Sequence, residues 1–499
     1  GLLKSTAFSA DFADSQMDAT MPPLSDVSVA RIEHFCGDCH PLPLATSFPK
    51  ANWGEEVRQG FDFYFETDRI DLEEPTQQEV VQYYQADAPD KVIVPRADAM
   101  TEEPSPIRFE AIHGLGNSGT PAATAQVLWD ASTRSVLFTD MLNGTLRSWG
   151  PGPQWPSNRS DVRESLLGTG KNICRTFPFD WDQDGLQDFL VGELGSFPVG
   201  DHQNGGVGLI FGSPDGNLPS LRIAEGLGRT IEAKPFDYDS DGDNDLLVAD
   251  FGWRETGSLR LLRNIGGSSQ KPEFKLETLD NRHGVLGVEV ADLDGDSLLD
   301  FAVAYGQEFE TVEVFYNQGK ETFDHRVILQ LPDPSYNVSS LQIVDLDQDG
   351  QLDIVYTCGD TMDTMLAKPF HGLRWARNLG DRNWEDRDLG LLVGALQSTV
   401  ADFDNDGDYD IAAIGLYPKG PNDPGAFDSI CWWEQKAELN FERHSIERDN
   451  CTHATCSSGD VNGDGRIDLI VGDWFASDNS AFSVFLNQPA AVVLPADDP

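Results

Sequence analysis

Asp402-Phe403-Asp404-Asn405-Asp406-Gly407-Asp408-Tyr409-Asp410, followed at once by Ile411-Ala412-Ala413-Ile414, is the stretch on which the fold turns. Side chains at positions 1, 3 and 5 of such a nonapeptide converge when the backbone turns tightly. Glycine at position 6 permits the turn because it tolerates positive φ. The carbonyl of position 7 and the carboxylate of position 9 then complete an oxygen cage of the kind Ca2+ prefers. The first half matches an EF-hand loop, but an EF-hand needs Glu at position 12 and flanking helices, and here a β-type apolar run follows position 9 directly. Carboxylates packed this closely repel one another unless a cation sits among them.

The pattern occurs six times, starting at 180, 237, 292, 345, 402 and 460, so its period is 53 to 58 residues. The expected cation ligands are Asp180, Asp182, Asp184, Leu186 and Asp188, then Asp237, Asp239, Asp241, Asp243 and Asp245. Next come Asp292, Asp294, Asp296, Leu298 and Asp300, then Asp345, Asp347, Asp349, Gln351 and Asp353. The last two sets are Asp402, Asp404, Asp406, Asp408 and Asp410, and Asp460, Asn462, Asp464, Arg466 and Asp468, with position 7 serving through its carbonyl. Two loops depart from the pattern, Ser297 replacing the glycine and Asn462 the second aspartate, and these are expected to release a cation most easily. Further strand-like runs recur in each unit, among them Leu259–Asn264, Val312–Asn317, Leu373–Asn378 and Phe482–Asn487. Short strands at regular spacing with Gly, Asn and Asp turns indicate an all-β array, and units of this size are propeller blades. Ala125–Asp130 and Ser135–Asp140 supply the strands of a metal-free blade before the six, and seven blades suit closure into a ring.

These loops and the strands after them resemble the FG-GAP/VCBS repeats, the calcium-binding blades also found in integrin α-subunit heads. The resemblance covers residues 111–490. It implies a disc with about six Ca2+ loops on one face and interaction loops on the other. It implies no single function, since propellers serve adhesion, lectins and enzymes alike.

Near the start stands Cys36-Gly37-Asp38-Cys39-His40, a C-x-x-C-H sequence of the kind that attaches haem c through two thioethers with the histidine as axial ligand. Val27–Phe35, Trp53–Tyr64 and Thr76–Tyr84 read as three short helices around it, so residues 27–94 resemble a small cytochrome c domain. No Met or His occurs between residues 41 and 99; Met100 is the preferred sixth ligand, with His113, Met17 and Met21 as alternatives. The expected architecture is therefore mainly β, a seven-bladed β-propeller with a small all-α cytochrome c-like N-terminal domain. Its segments are a leader (1–26), the haem domain (27–94), a linker (95–110), the propeller (111–490) and a tail (491–499).

Composition narrows the function. Lys+Arg is 35 against Asp+Glu 84, a formal charge of −49, which disfavours nucleic acid and anionic lipid. No uncharged apolar run is long enough to span a membrane. G-x-S-x-G, P-loop and H-E-x-x-H signatures are absent. His202, Trp253, Arg254, His371, Tyr417 and Trp474 lie in the long loops after the second strand of a blade and are candidates to contact a sugar or peptide; His283 and His453 could face the axis. Cys174, Cys358, Cys431, Cys451 and Cys456 are left as buried thiols or a Cys451–Cys456 pair. The expected function is an exported redox protein, periplasmic, cell-surface or extracellular, with one covalent haem c, a calcium-stabilised binding platform and a redox partner. The alternatives are a surface adhesion or assembly protein, self-associating or ligand-binding, and a haem-linked dehydrogenase acting on sugars or alcohols at the channel.

Overall fold

A six-residue run follows each acidic loop, Asp188–Glu193, Asp245–Asp250, Asp300–Tyr305, Asp353–Cys358, Asp410–Gly415 and Asp468–Asp473, and every residue in these runs is buried. A strand apolar on both faces needs a layer on each side. It finds them as the second strand of a four-stranded antiparallel sheet wedged between two neighbouring sheets. The computed structural model describes residues 23–66, 69–96, 104–116, 120–198, 200–213, 218–359, 361–362, 364–417, 427–476 and 478–490.

Seven such sheets form the ring. Blade 1 spans 124–169, blade 2 173–227, blade 3 230–280, blade 4 285–330, blade 5 338–391 and blade 6 395–448. Blade 7 takes its three inner strands from 453–489 and its outer strand from Ile107–Leu115, which pairs antiparallel with Phe482–Pro489 from Ile107↔Pro489 to Leu115↔Phe482. A strand from before blade 1 thus completes the last blade and closes the ring.

The core lies between blades. Phe236, Leu247, Ala249 and Leu259 of blade 3 meet Val285, Val288, Phe301 and Tyr305 of blade 4. Leu346, Val355, Leu373 and Trp375 of blade 5 meet Ile411, Ala413, Cys431 and Trp433 of blade 6. Around the axis, a polar side chain of one innermost strand accepts a backbone N–H of the next. Gln126 takes Thr176 N at 2.8 Å, Glu232 takes Val288 N at 2.9 Å, Gln397 takes Cys456 N at 3.0 Å and Thr455 takes Val127 N at 3.1 Å.

Three short helices precede the ring, α1 (Asp26–Cys36), α2 (Trp53–Glu66) and α3 (Gln77–Asp87). Ser25 caps α1, and Thr76 with Glu79 forms a capping box on α3. Their interior is Ile32, Phe48, Trp53, Val57, Phe61, Val80 and Tyr84, with Trp53 stacked on Tyr84 at 3.9 Å. That interior is shared with the propeller: Leu366 packs into it, and the Lys368 ammonium lies 3.5 Å from the centre of the Phe48 ring. Asp333, fully buried between blades 4 and 5, accepts Leu44 N at 2.6 Å and Ser47 Oγ at 2.8 Å. The expectation of a separate all-α cytochrome c-like domain is therefore corrected. The helices exist, but they form a cap on the propeller whose packing is completed by propeller side chains.

His453 joins blades 6 and 7, its Nε2 2.7 Å from Glu447 and its Nδ1 3.1 Å from Asp473. Burial alone would lower its pKa, but hydrogen bonds to Asp473 and Glu447 reverse this and raise it to about 9. A raised pKa stabilises the fold fully below the unfolded value of about 6.5, and this contribution is lost as pH rises through about 9. His453→Gln should lower stability by about 2–3 kcal/mol at pH 6, with the gap shrinking by pH 10, as read by denaturant unfolding at the two pH values.

Candidate metal centres

The six acidic loops share one hydrogen-bonding plan. The first aspartate accepts the N–H of position 6 in every loop, for example Gly185 N on Asp180 at 3.0 Å and Gly407 N on Asp402 at 3.1 Å. The fifth residue accepts the N–H of position 7, as in Leu186 N on Asp184 and Gln351 N on Asp349. Two residues per loop take the left-handed conformation. Position 6 is one, with φ from 74° at Ser297 to 103° at Gly407; position 4 is the other, as at Gln183, Ser240, Gln348 and Asn405. The need for glycine at position 6 was legible in the sequence. The second left-handed residue was less so, because only Gly295, Asn405 and Gly463 are of types that favour the conformation, while Gln183, Ser240 and Gln348 carry no such signal.

The ninth residue does most to fix the geometry. One carboxylate oxygen of Asp410 accepts Phe403 N at 2.9 Å and the other Gln435 N at 2.9 Å, so one side chain joins the loop to the third strand of the blade. Asp188, Asp245, Asp300, Asp353 and Asp468 do the same with their counterparts, for example Leu346 N and Asn378 N on Asp353. Burial, opposed by these backbone bonds and reinforced by neighbouring aspartates, raises the pKa of Asp300 to about 6, Asp353 to about 7 and Asp410 to about 8. Asp468, for which burial is again the leading cause, rises to about 7.

Carboxylate oxygens converge within 4.8 Å of one another in the groups Asp180–Asp182–Asp188, Asp237–Asp239–Asp241, Asp292–Asp294–Asp300 and Asp345–Asp347–Asp353. Asp239 Oδ1, Asp345 Oδ1 and Asp408 Oδ1 are buried with no hydrogen-bond partner. An all-oxygen donor set with orphaned carboxylate atoms fits a hard divalent cation such as Ca2+. A fifth group, Glu434, Glu442 and His444 on the outer strands of blade 6, escaped the sequence reading. Its members are brought together by cross-strand register, Glu434 opposite Glu442 and His444 opposite Trp432, which no linear motif displays. Lys436 is ion-paired to Glu434 there.

The C-x-x-C-H segment does not form a haem site, and this corrects the expectation of haem c, of a c-type cytochrome and of electron transfer. Cys36 ends α1 with its thiol turned to Tyr84 inside the aromatic core, and burial raises its pKa to about 11. Cys39 is exposed and its Sγ accepts from Arg69 at 2.8 Å, while Arg69 also pairs with Asp38 at 2.7 Å. His40 points Nδ1 at Pro41 O, 2.9 Å away. The two thiols thus sit in different environments, and the space between the helices is filled by stacked rings. The metal-competent groups named above are carboxylate-rich and lie on the propeller; among the described residues no haem-ligating cysteine pair or axial-ligand geometry accompanies them. Met100, Met17 and Met21 lie outside the described residues. His113 sits in the outer strand of blade 7, 3.0 Å from Ser483 Oγ. The other five cysteines are buried and in no disulfide, Cys451 and Cys456 included.

The acidic loops join first to second strands and lie on one face. The candidate contact residues belong to the other face, which the helices partly cover. Arg254 stacks on Phe63 at 3.9 Å and ion-pairs with Glu66, and Trp253 lies beneath Arg229 and Arg254. His371 is buried beside Lys368, and burial, with that lysine, lowers its pKa to about 3. Tyr417 is buried against Phe427, His202 closes its own loop onto Ser196 Oγ at 2.6 Å, and His283 pairs with Glu308 at 2.8 Å. Trp474 forms a cluster with Phe197 and Phe475.

A family model described as an FG-GAP-like repeat matches residues 237–303 and 292–356. Each match begins at the first aspartate of an acidic loop and runs past the next one. The sequence repeat is therefore offset from the blade by one strand, as the shared last blade requires. The loops at 180, 402 and 460 lie outside the matched residues but carry the same hydrogen bonds. No curated protein matches the chain. A solved structure described as a luciferin-regenerating enzyme is similar at a TM-score of 0.39 and 12% identity, over 68% of this chain and 94% of the other.

Ser297 holds φ 74° without being glycine, at a cost of about 1–2 kcal/mol. Ser297→Gly should raise stability by about 1 kcal/mol, seen as a higher denaturant midpoint at unchanged slope.

Proposed function

We propose that this chain is a calcium-stabilised propeller acting as a non-enzymatic adhesion or assembly module outside the cytoplasm. The observation that carries the reading is the convergence of carboxylates, with orphaned buried oxygens, in repeated loops on one face of the ring. Six Ca2+ ions would bring the formal charge of −49 to −37, relieving repulsion exactly where the loops concentrate it. Such loops fill where calcium is plentiful, which favours an exported protein. Among the described residues no helix is long and apolar enough to cross a membrane.

With the loops devoted to structure, ligand binding falls to the opposite face. That face presents Phe475, 43% exposed, with Phe197 ring to ring at 6.0 Å and Trp474 at 5.4 Å. Flat apolar rings of this kind suit the face of a sugar or an aromatic or aliphatic peptide side chain. A second copy of the chain is another occupant of the same chemistry.

Calcium-replete chain should bind members of a glycan and peptide array, or sediment as a concentration-dependent oligomer, and Phe475→Ala should weaken that association about tenfold without lowering thermal stability. Association unchanged by Phe475→Ala would contradict the assignment of this face, and substrate turnover by the purified chain would contradict a non-enzymatic role.

A further inference from the structure

We infer that Arg263, Arg377 and Arg382 serve as built-in counter-cations for the loops of blades 3, 5 and 4, so that a bound divalent cation decides the fold of the blade 6 loop before that of these three. The inference rests on the reading that these loops take calcium and adds an order among them.

The third residue of five of the loops is an aspartate, with two oxygens of different duties. In Asp294, Asp347 and Asp404, Oδ1 accepts the N–H two residues on, at 3.2–3.3 Å. The outer oxygen, Oδ2, is where the loops diverge. Arg263 NH1 lies 2.8 Å from Asp239 Oδ2, and Arg377 Nε lies 2.6 Å from Asp347 Oδ2. Arg382 reaches Asp294 Oδ2 with both Nε and NH2, at 2.9 and 2.6 Å. Two of these guanidiniums also bridge to a neighbouring blade. Arg263 of blade 3 continues to Glu321 of blade 4 at 2.8 Å, and Arg382 of blade 5 holds Asp294 and Asp324 of blade 4.

The remaining loops lack this device. In blade 2 the partner of Asp182 Oδ2 is the neutral Gln270. In blade 7 the third residue is Asn462, and Arg466 holds Asp464 at 2.8 Å. In blade 6, Asp404 Oδ2 receives no guanidinium among the described residues. The nearby ammonium of Lys436 is engaged by Glu434, which adds a carboxylate of its own. Blade 6 therefore combines five aspartates in nine residues with no arginine at its third position. A charge-assisted bond at about 2.6–2.9 Å partly neutralises the loops of blades 3, 4 and 5 whether or not a cation is present, while the blade 6 loop has, besides a cation, only the Lys436 ammonium that it shares with Glu434. This order differs from the one expected from motif departures, which placed the loops at 292 and 460 first.

The test is hydrogen exchange on the full chain, read peptide by peptide, in calcium and in excess chelator. In chelator, residues 402–415 should exchange at least tenfold faster than in calcium, while 237–250, 292–305 and 345–358 change less. Arg382→Met should extend the chelator sensitivity to 292–305 and leave that segment protected in calcium. Asp404→Asn, which removes one of the five charges, should reduce the effect at 402–415, and it tests the inference independently should Arg382→Met fail to fold. Equal sensitivity of all the loops, or an Arg382→Met profile identical to that of the parent chain, would overturn the inference and leave the calcium reading standing. No chelator effect on any segment would overturn both.

Discussion

Each blade with an acidic loop is organised around a buried aspartate that accepts two backbone N–H groups at once, one from its own loop and one from the third strand or its end. Asp410 with Phe403 N and Gln435 N is representative. The arrangement satisfies two donors that the tight turn would otherwise strand, which matters because an unmet buried N–H costs about as much as a lost hydrogen bond. It also places a carboxylate beside several others in a poorly hydrated setting. Burial and mutual repulsion then raise the pKa of these aspartates, and a hard cation is the group that relieves both. The loop and its tie to the third strand thus follow from one residue type at one position.

Much of this was legible in the sequence because the constraint repeats. Six copies at 53 to 58 residues display the turn, the apolar strand that follows it and six of the seven blades. The metal-free blade was found from strand content and spacing alone. What escaped was encoded by pairing between distant segments. That the strand Ile107–Leu115 completes blade 7 depends on ring geometry. The meeting of Glu434, Glu442 and His444 depends on register between two strands. The arginines at the loops come from hairpins of the same or the next blade, tens of residues away.

The N-terminal segment shows the limit of a short motif. Cys36-Gly37-Asp38-Cys39-His40 carries the right residues in the right order, and the three helices around it form much where their periodicity places them. The interior those helices enclose is nonetheless occupied by Trp53, Phe61 and Tyr84, and Cys36 and Cys39 are held by different neighbours. The segment's organising contacts run instead to the propeller, through Asp333 and through Lys368, whose burial lowers its pKa to about 8 despite Asp333 and Glu56 nearby. Two candidate contact residues, Arg254 and His371, lie at or beneath this cap. Phe475, on the same face, is exposed.

The central claim is that the acidic loops are cation sites on which the ring depends. Isothermal titration calorimetry of the decalcified full chain with Ca2+ tests it most directly. The account predicts saturable binding of about six ions per chain, one for each loop of the repeat. A titration without saturable heat, at calcium concentrations up to the millimolar range of extracellular modules, would contradict it.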